Sequence, residues 1–135
     1  MRREIRVGGL SEPVSHYTDA VQFDNPLFVS GVAPFDTDGR LVAPGDVVAH
    51  TRQIFENMRR VLAAAGARFA DVLRVTVYLT DVKDRPLINP IRQEYFGSTR
   101  PASTLIGVAE LVMPGMRVEI EAVAALPAVS DGNAA

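Results

Sequence analysis

Apolar positions along this chain recur with two periods, and the places where the period changes mark its elements. Val47, Ile54, Phe55, Met58, Val61, Leu62 and Ala65 fall on one face at helical spacing, with Arg52, Glu56, Arg59 and Arg60 mainly off it. Asp46 stands before the run as an N-cap and Gly66 stands after it. A helix is therefore predicted from Asp46 to about Ala65, covering one side of a sheet. Between Val72 and Leu79 the period falls to two: Leu73, Val75, Val77 and Leu79 alternate with Arg74, Thr76 and Tyr78, as in a half-buried strand. From Arg100 to Leu126 two alternating runs flank Pro114-Gly115 and predict two antiparallel strands that end the fold. In the second run Val118, Ile120, Ala122 and Ala124 share one face, and Arg117, Glu119 and Glu121 share the other.

The remaining elements are shorter. Glu4 to Gly9 and Asp19 to Val32 read as strands, the latter broken at Asn25-Pro26, and Asp36-Thr37-Asp38-Gly39 reads as a hairpin turn. A second helix is predicted from Leu87 to Tyr95, with Asn89 as a cap and Pro90 in its first turn. Residues 1–127 then make one domain, and residues 128–135, small and polar, are expected to fray. Hairpins plus helices on one face give an α+β fold with a mixed sheet. Thr76, Tyr78, Leu105 and Val123 are too apolar as a set to face bulk water, so partner subunits are expected on the other face.

Composition narrows the function classes. The chain has 135 residues, enough for one domain with a real core, and its 47% apolar and 22% charged residues are ordinary for a globular protein. A formal charge of −2 supplies no basic footprint for nucleic acid. No apolar run reaches the length of a membrane span, and Met1-Arg2-Arg3-Glu4 is not followed by a signal-type apolar block, so no membrane partner is expected and a cytoplasmic location is the default. Without cysteine there is no disulfide and no thiolate nucleophile or ligand. His16 and His50 lack a second ligand at metal spacing, and Gly8-Gly9 lacks the spacing and following helix of a phosphate loop. No metal or other cofactor is expected.

The chemistry then rests on the acidic face of the last strand. Two carboxylates side by side need water, a partner chain or a ligand. Glu119 is either a base that positions water or a strand carboxylate paired with Arg117 or a neighbouring chain, and Glu121 reads better as an intersubunit ion pair. Ser30 and Ser103 read as neutral hydrogen-bonding groups, not nucleophiles, since no Gly-x-Ser-x-Gly is present. Thr104 reads as core, and Asp81, Lys83 and Asp84 as a solvated turn.

Six blocks in order carry a family resemblance. They are Phe28-Val29-Ser30-Gly31, Thr51 to Gly66, Asp71 to Asp81, Asn89 with Tyr95-Phe96, Arg100-Pro101-Ala102-Ser103, and Glu119-Ile120-Glu121-Ala122. Over Tyr17 to Leu126 the chain resembles the RidA/YjgF family of small trimeric proteins, also described as endoribonuclease L-PSP-like. The resemblance implies a chorismate-mutase-like α+β fold and a homotrimer packed around a central β-barrel, with small-molecule clefts between subunits. It also implies cofactor-free hydrolysis of reactive enamines and imines. Carried across by position, Glu119 becomes the catalytic carboxylate, while Tyr17, Ser30, Gly31 and Asn89 become substrate-binding positions.

One family residue does not carry across. After Pro101-Ala102 stands Ser103, where the resemblance expects an arginine that grips a substrate carboxylate. Hydrogen bonds to charged groups contribute roughly 1.5–3 kcal/mol against about 1 for neutral ones, so a lone hydroxyl holds a carboxylate weakly. The expected substrate is therefore an enamine or imine other than a simple 2-iminoacid. Arg92, three residues after Asn89 and so on the same helix face, is the first candidate to replace the missing guanidinium. The alternative function is a trimer that binds a metabolite without turning it over. Ribonuclease activity has little support, with neither a basic stripe nor a histidine pair.

Overall fold

A computed structural model of the chain describes residues 1–127. Its six strands form one sheet in the order β1-β2-β3-β6-β4-β5. They are β1 (Arg2–Ile5), β2 (Ala20–Phe23), β3 (Pro26–Val32), β4 (Val72–Leu79), β5 (Ala102–Gly107) and β6 (Val118–Ala125), with α1 (Val47–Ala64) between β3 and β4 and α2 (Arg85–Phe96) between β4 and β5. The expected strands that fall between residues 4 and 9 and at residues 19–32, and the expected tail at residues 128–135, fared differently. The first shifts to β1 and the second splits into β2 and β3, whereas the tail lies outside the described residues.

The long helix forms where its caps place it. The Asp46 carboxylate accepts from the Ala49 N–H at 3.0 Å, and Gly66 follows in the left-handed region, a conformation that costs most residues a steric clash. Its buried stripe, Ile54, Phe55, Met58, Val61 and Leu62, packs on Leu27 and Val29 of β3, Val75 and Val77 of β4 and Ile120 and Ala122 of β6. Ile88, Ile91 and Phe96 bring α2 onto the same layer. The joint between the helices is aromatic: the Phe55 ring lies 5.9, 5.1 and 5.6 Å from those of Phe69, Tyr95 and Phe96.

The two final strands do not form a hairpin. β6 inserts between β3 and β4, antiparallel to both, while β5 runs parallel to β4 at the sheet edge. Alternation identifies a strand but not its neighbour, and here α2 makes the crossover that parallel pairing requires. Pairing of β5 with β4 also reverses two expected faces. Leu105 lies opposite buried Val77 and packs on the core, whereas Thr104 lies opposite Thr76 on the open face and accepts from Arg74. In β4 a register shift between Val72 and Arg74 buries Val72 and leaves Leu73 55% exposed.

Three smaller expectations also change. Asp36 to Gly39 is a turn closed by the Asp36 carboxylate, but it joins only the isolated bridge Phe35–Leu41 and no hairpin strands. α2 begins two residues earlier than expected because Pro86 occupies its first turn, where no N–H is needed. Pro90 then sits inside the helix on its exposed side, where water can reach the carbonyl left without a donor, and Asn89 is mid-helix instead of capping it. Asp84 is no solvated turn residue: it is buried and accepts from Arg117 at 2.6 Å.

The helices cover one sheet face only. The other carries Phe28, Thr76, Tyr78, Glu119, Glu121 and Val123, with Phe28 49% exposed.

Candidate active site

The acidic cleft starts from an irregularity in β3. Val29 pairs with Ala122 and Val32 with Ile120, so β3 spends three residues where β6 spends two. The extra residue bulges the strand at Ser30-Gly31 and re-aims the side chains beside it. Ser30 is fixed there twice, its N–H donating to the Asp19 carbonyl and its hydroxyl to the Thr18 carbonyl at 2.6 Å. Gly31 lies against the Glu119 side chain: a Cβ at this position would overlap a carboxylate oxygen and stand 3.1 Å from the carboxyl carbon. Its φ is not left-handed, so what glycine supplies here is room.

Glu119 faces a cavity of about 460 Å³ lined by Tyr17, Ser30, Gly31, Val112 and Glu121. It is half-buried and makes no hydrogen bond or ion pair among the described residues. Arg117, its expected partner, turns away to Asp84 and donates its backbone N–H to Nδ1 of buried His50. Loss of water, and secondarily the charge of Glu121, holds the Glu119 carboxyl above the usual carboxylate range. Glu121 accepts a short hydrogen bond from the Tyr78 hydroxyl on β4 within the same chain, and that bond, then burial, raises the Tyr78 phenol. Tyr17 is 47% exposed at the cleft mouth, its oxygen accepting from the Val14 N–H at 3.3 Å.

Asn89, Arg92 and Ser103 lie elsewhere. Ser103 is opposite buried Val75 and so points to the helical side, whereas Glu119 is opposite Tyr78 on the open side. Arg92 reaches over from α2 and donates to the Ser103 hydroxyl at 2.8 Å. A second cavity of about 540 Å³ lies here, lined by Asn89, Arg92, Gln93, Thr99 and Arg100. Within one protomer the sheet thus separates the seven expected site residues into a carboxylate group and a guanidinium group.

Two contributors were not expected from the sequence. Tyr78 was read only as part of an apolar face, although its register with Glu119 makes it the neighbour of both carboxylates. Buried Asn57 donates to the carbonyls of Ala33 and Phe35 at 3.1 and 3.0 Å, fixing the loop that walls the acidic cleft. The available signal was an amide between Ile54 and Met58 in an otherwise apolar stripe.

Gly31→Ala is expected to displace the Glu119 carboxylate without unfolding the chain, because the side chain can move and the β3 backbone need not. Misplacement by about 1 Å can cost about 10²-fold in rate. A fall in kcat of that order with an unchanged melting temperature is expected; equal kcat would mean that the carboxylate position is unimportant.

The sequence profile of the endoribonuclease L-PSP family matches residues 10–126. The 3-aminoacrylate deaminase RutC of Acinetobacter baylyi is 37% identical, covering 86% of this chain and 91% of that one. The 2-iminobutanoate/2-iminopropanoate deaminase of Mus musculus is 36% identical, covering 92% and 91%. The crystal structure of RidA from an Antarctic Psychrobacter superposes with a TM-score of 0.86 at 30% identity, over 92% of this chain and 99% of that one.

Proposed function

The chain belongs to the RidA/YjgF, or endoribonuclease L-PSP, family, and from that premise we propose that it hydrolyses a reactive enamine or imine to a carbonyl compound and ammonia. One observation carries this reading: Glu119 is a half-buried carboxylate with no partner among the described residues, facing a cavity large enough for a small substrate. A group so placed is suited to take a proton from water. The water oxygen then adds to the carbon of the protonated C=N bond, whose π pair moves to nitrogen. The proton passes on to that nitrogen; the C–N bond then breaks, ammonia leaves with the bonding pair, and the hydroxyl proton goes to the freed Glu119 carboxylate as the carbonyl forms. Ser30 and Tyr17 offer neutral hydrogen bonds around the reacting atoms. The relatives named as deaminases support the class of reaction, not the identity of the substrate.

The site is completed by a second copy, in a homotrimer located in the cytoplasm. Support comes from the unpaired edge of β5, from half-exposed Phe28 on the uncovered sheet face, and from the separation of the two residue groups by the sheet. The competing reading is a trimer that only binds a metabolite, and its motive is Ser103 in place of the family arginine.

Imines generated in situ, by an amino-acid oxidase for 2-iminoacids and by an amine oxidase for imines without the carboxylate, test the proposal, with release of the carbonyl product timed at several pH values. Added protein is expected to shorten the imine lifetime. Because burial raises the Glu119 carboxyl, its ionised, working form is lost as pH falls through that raised value. The acid limb of kcat/KM should therefore lie above the range of an ordinary exposed glutamate. Imine lifetimes unchanged by the protein across a broad substrate panel would leave the binding reading.

A further inference from the structure

We propose that Tyr78 is a positioning residue of the acidic cleft: its hydroxyl fixes Glu121, so that of the two adjacent carboxylates Glu119 alone exchanges a proton with water. The inference rests on the hydrolase reading for its catalytic consequence, whereas the arrangement of the three side chains is testable without substrate.

Glu119 and Glu121 lie two residues apart on one face of β6, which by strand geometry sets their Cα atoms about 6.5 Å apart. Both line the acidic cavity. Two carboxylates so close either repel or share one proton, and in the second case neither titrates independently. Only one of them has a donor. The antiparallel register sets Tyr78 directly opposite Glu119 and Thr76 opposite Glu121, and the Tyr78 hydroxyl reaches diagonally to Oε1 of Glu121. Glu119 receives no hydrogen bond among the described residues. A donor favours the charged form of its acceptor. Glu121 is thus held as the fixed anion, and Glu119 remains the exchangeable group.

The phenol itself does not take over that role. Its bond to Glu121, then burial, raises it, so Tyr78 stays a donor throughout the range in which carboxylates titrate. Tyr78 is not among the side chains that line the cavity, and its action passes through Glu121. The other groups facing the pair are neutral or engaged. Arg74, on the same face of β4, donates to the Thr104 hydroxyl on β5 at 3.0 Å. From β3 come Phe28, Ser30 and Gly31, and from β5 Thr104 and Ile106, none of them charged. Tyr17 is the other titratable group on the cavity wall, and Arg117 is held by Asp84. Burial, and after it the charge of Glu121, therefore holds the Glu119 carboxyl above the usual carboxylate range.

The NMR resonance of the Glu119 carboxyl carbon, identified by its loss in Glu119→Gln, tests this when followed against pH without substrate. In the parent it should titrate in one step. Tyr78→Phe keeps the ring and removes the donor. The two carboxylates can then share a proton and hold it more tightly, so the resonance should titrate at higher pH, with Glu121 titrating in step. Glu121→Gln removes the charge and should move the titration to lower pH. Tyr78→Phe added to Glu121→Gln should move it no further. The acid limb of kcat/KM, which reports the free enzyme, should follow in the same directions. A side chain that merely packs would lower kcat/KM by one factor at every pH and leave the resonance in place, a result that overturns the proposal. So does an equal shift by Tyr78→Phe with and without Glu121. Should Tyr78→Phe not fold, Glu121→Gln decides alone, and an unmoved Glu119 titration overturns the proposal. Opposed shifts in the two variants, with no imine turned over by the parent, uphold the arrangement and remove the hydrolase reading. Imine turnover with an unmoved resonance does the reverse.

Discussion

Glu119→Gln is expected to lower kcat by about 10²–10⁴-fold, the usual contribution of a positioned acid or base. The substitution keeps the size of the side chain and its two polar atoms, so the cavity with Tyr17, Ser30 and Gly31 should persist. The stability consequence runs opposite to that of most site mutations. A carboxyl whose value is raised on folding binds its proton more tightly in the folded state. Its stabilising contribution is present at low pH and is lost as pH rises through the raised value, where the ionised form must be held in a site short of water. At neutral pH a neutral amide removes that cost. Glu119→Gln should thus melt no lower than the parent while losing turnover. Retained turnover would remove Glu119 from the mechanism, and a sharp loss of stability would make it a structural residue.

Phe55→Ala is expected to produce the largest loss of stability, about 3–5 kcal/mol for a fully buried aromatic ring. For a domain of this size that corresponds to a fall of about 10–20 °C in Tm, read at one fixed protein concentration because association adds its own stabilisation. Phe55 is 1% exposed and touches Phe69, which precedes β4, and Tyr95 and Phe96 at the end of α2. Tyr95 is held further by its hydroxyl, which donates to Glu56 at 2.6 Å, and Arg59 lies over both the Phe69 and Tyr95 rings. Removing Phe55 should therefore loosen α2 as well as lower the melting point. Since α2 carries Asn89 and Arg92, KM should rise even at temperatures where the chain stays folded. A change of less than about 1 kcal/mol in chemical denaturation would mean that neighbouring side chains collapse into the space.

Much of the architecture was legible because burial imposes a period. The stripe from Val47 to Leu62 and the alternation from Val118 to Ala124 describe elements that the structure contains, with the capping Asp46 in its place. Resemblance singled out Glu119 and helical spacing from Asn89 singled out Arg92, and the structure puts each against a cavity. Errors collected where local pattern is silent about neighbours. Leu73 alternates correctly, yet a shift of register exposes it, and Asp84 looks like a turn residue until Arg117 arrives from 33 positions away.

The amino-acid order by itself thus determined that α1 is helical, that β4 and β6 are extended, and which faces of α1 and β6 are apolar, since these follow from interactions within a few positions. Pairing was decided only in three dimensions. Insertion of β6 between β3 and β4 brings Glu119 beside Gly31 and Tyr78, and the crossover through α2 lays Arg92 on Ser103. The Glu119 contacts join segments far apart in the chain, and the Arg92 contact joins neighbouring elements across a helix end. They depend on how sheet and helices share a single core, which no local periodicity encodes.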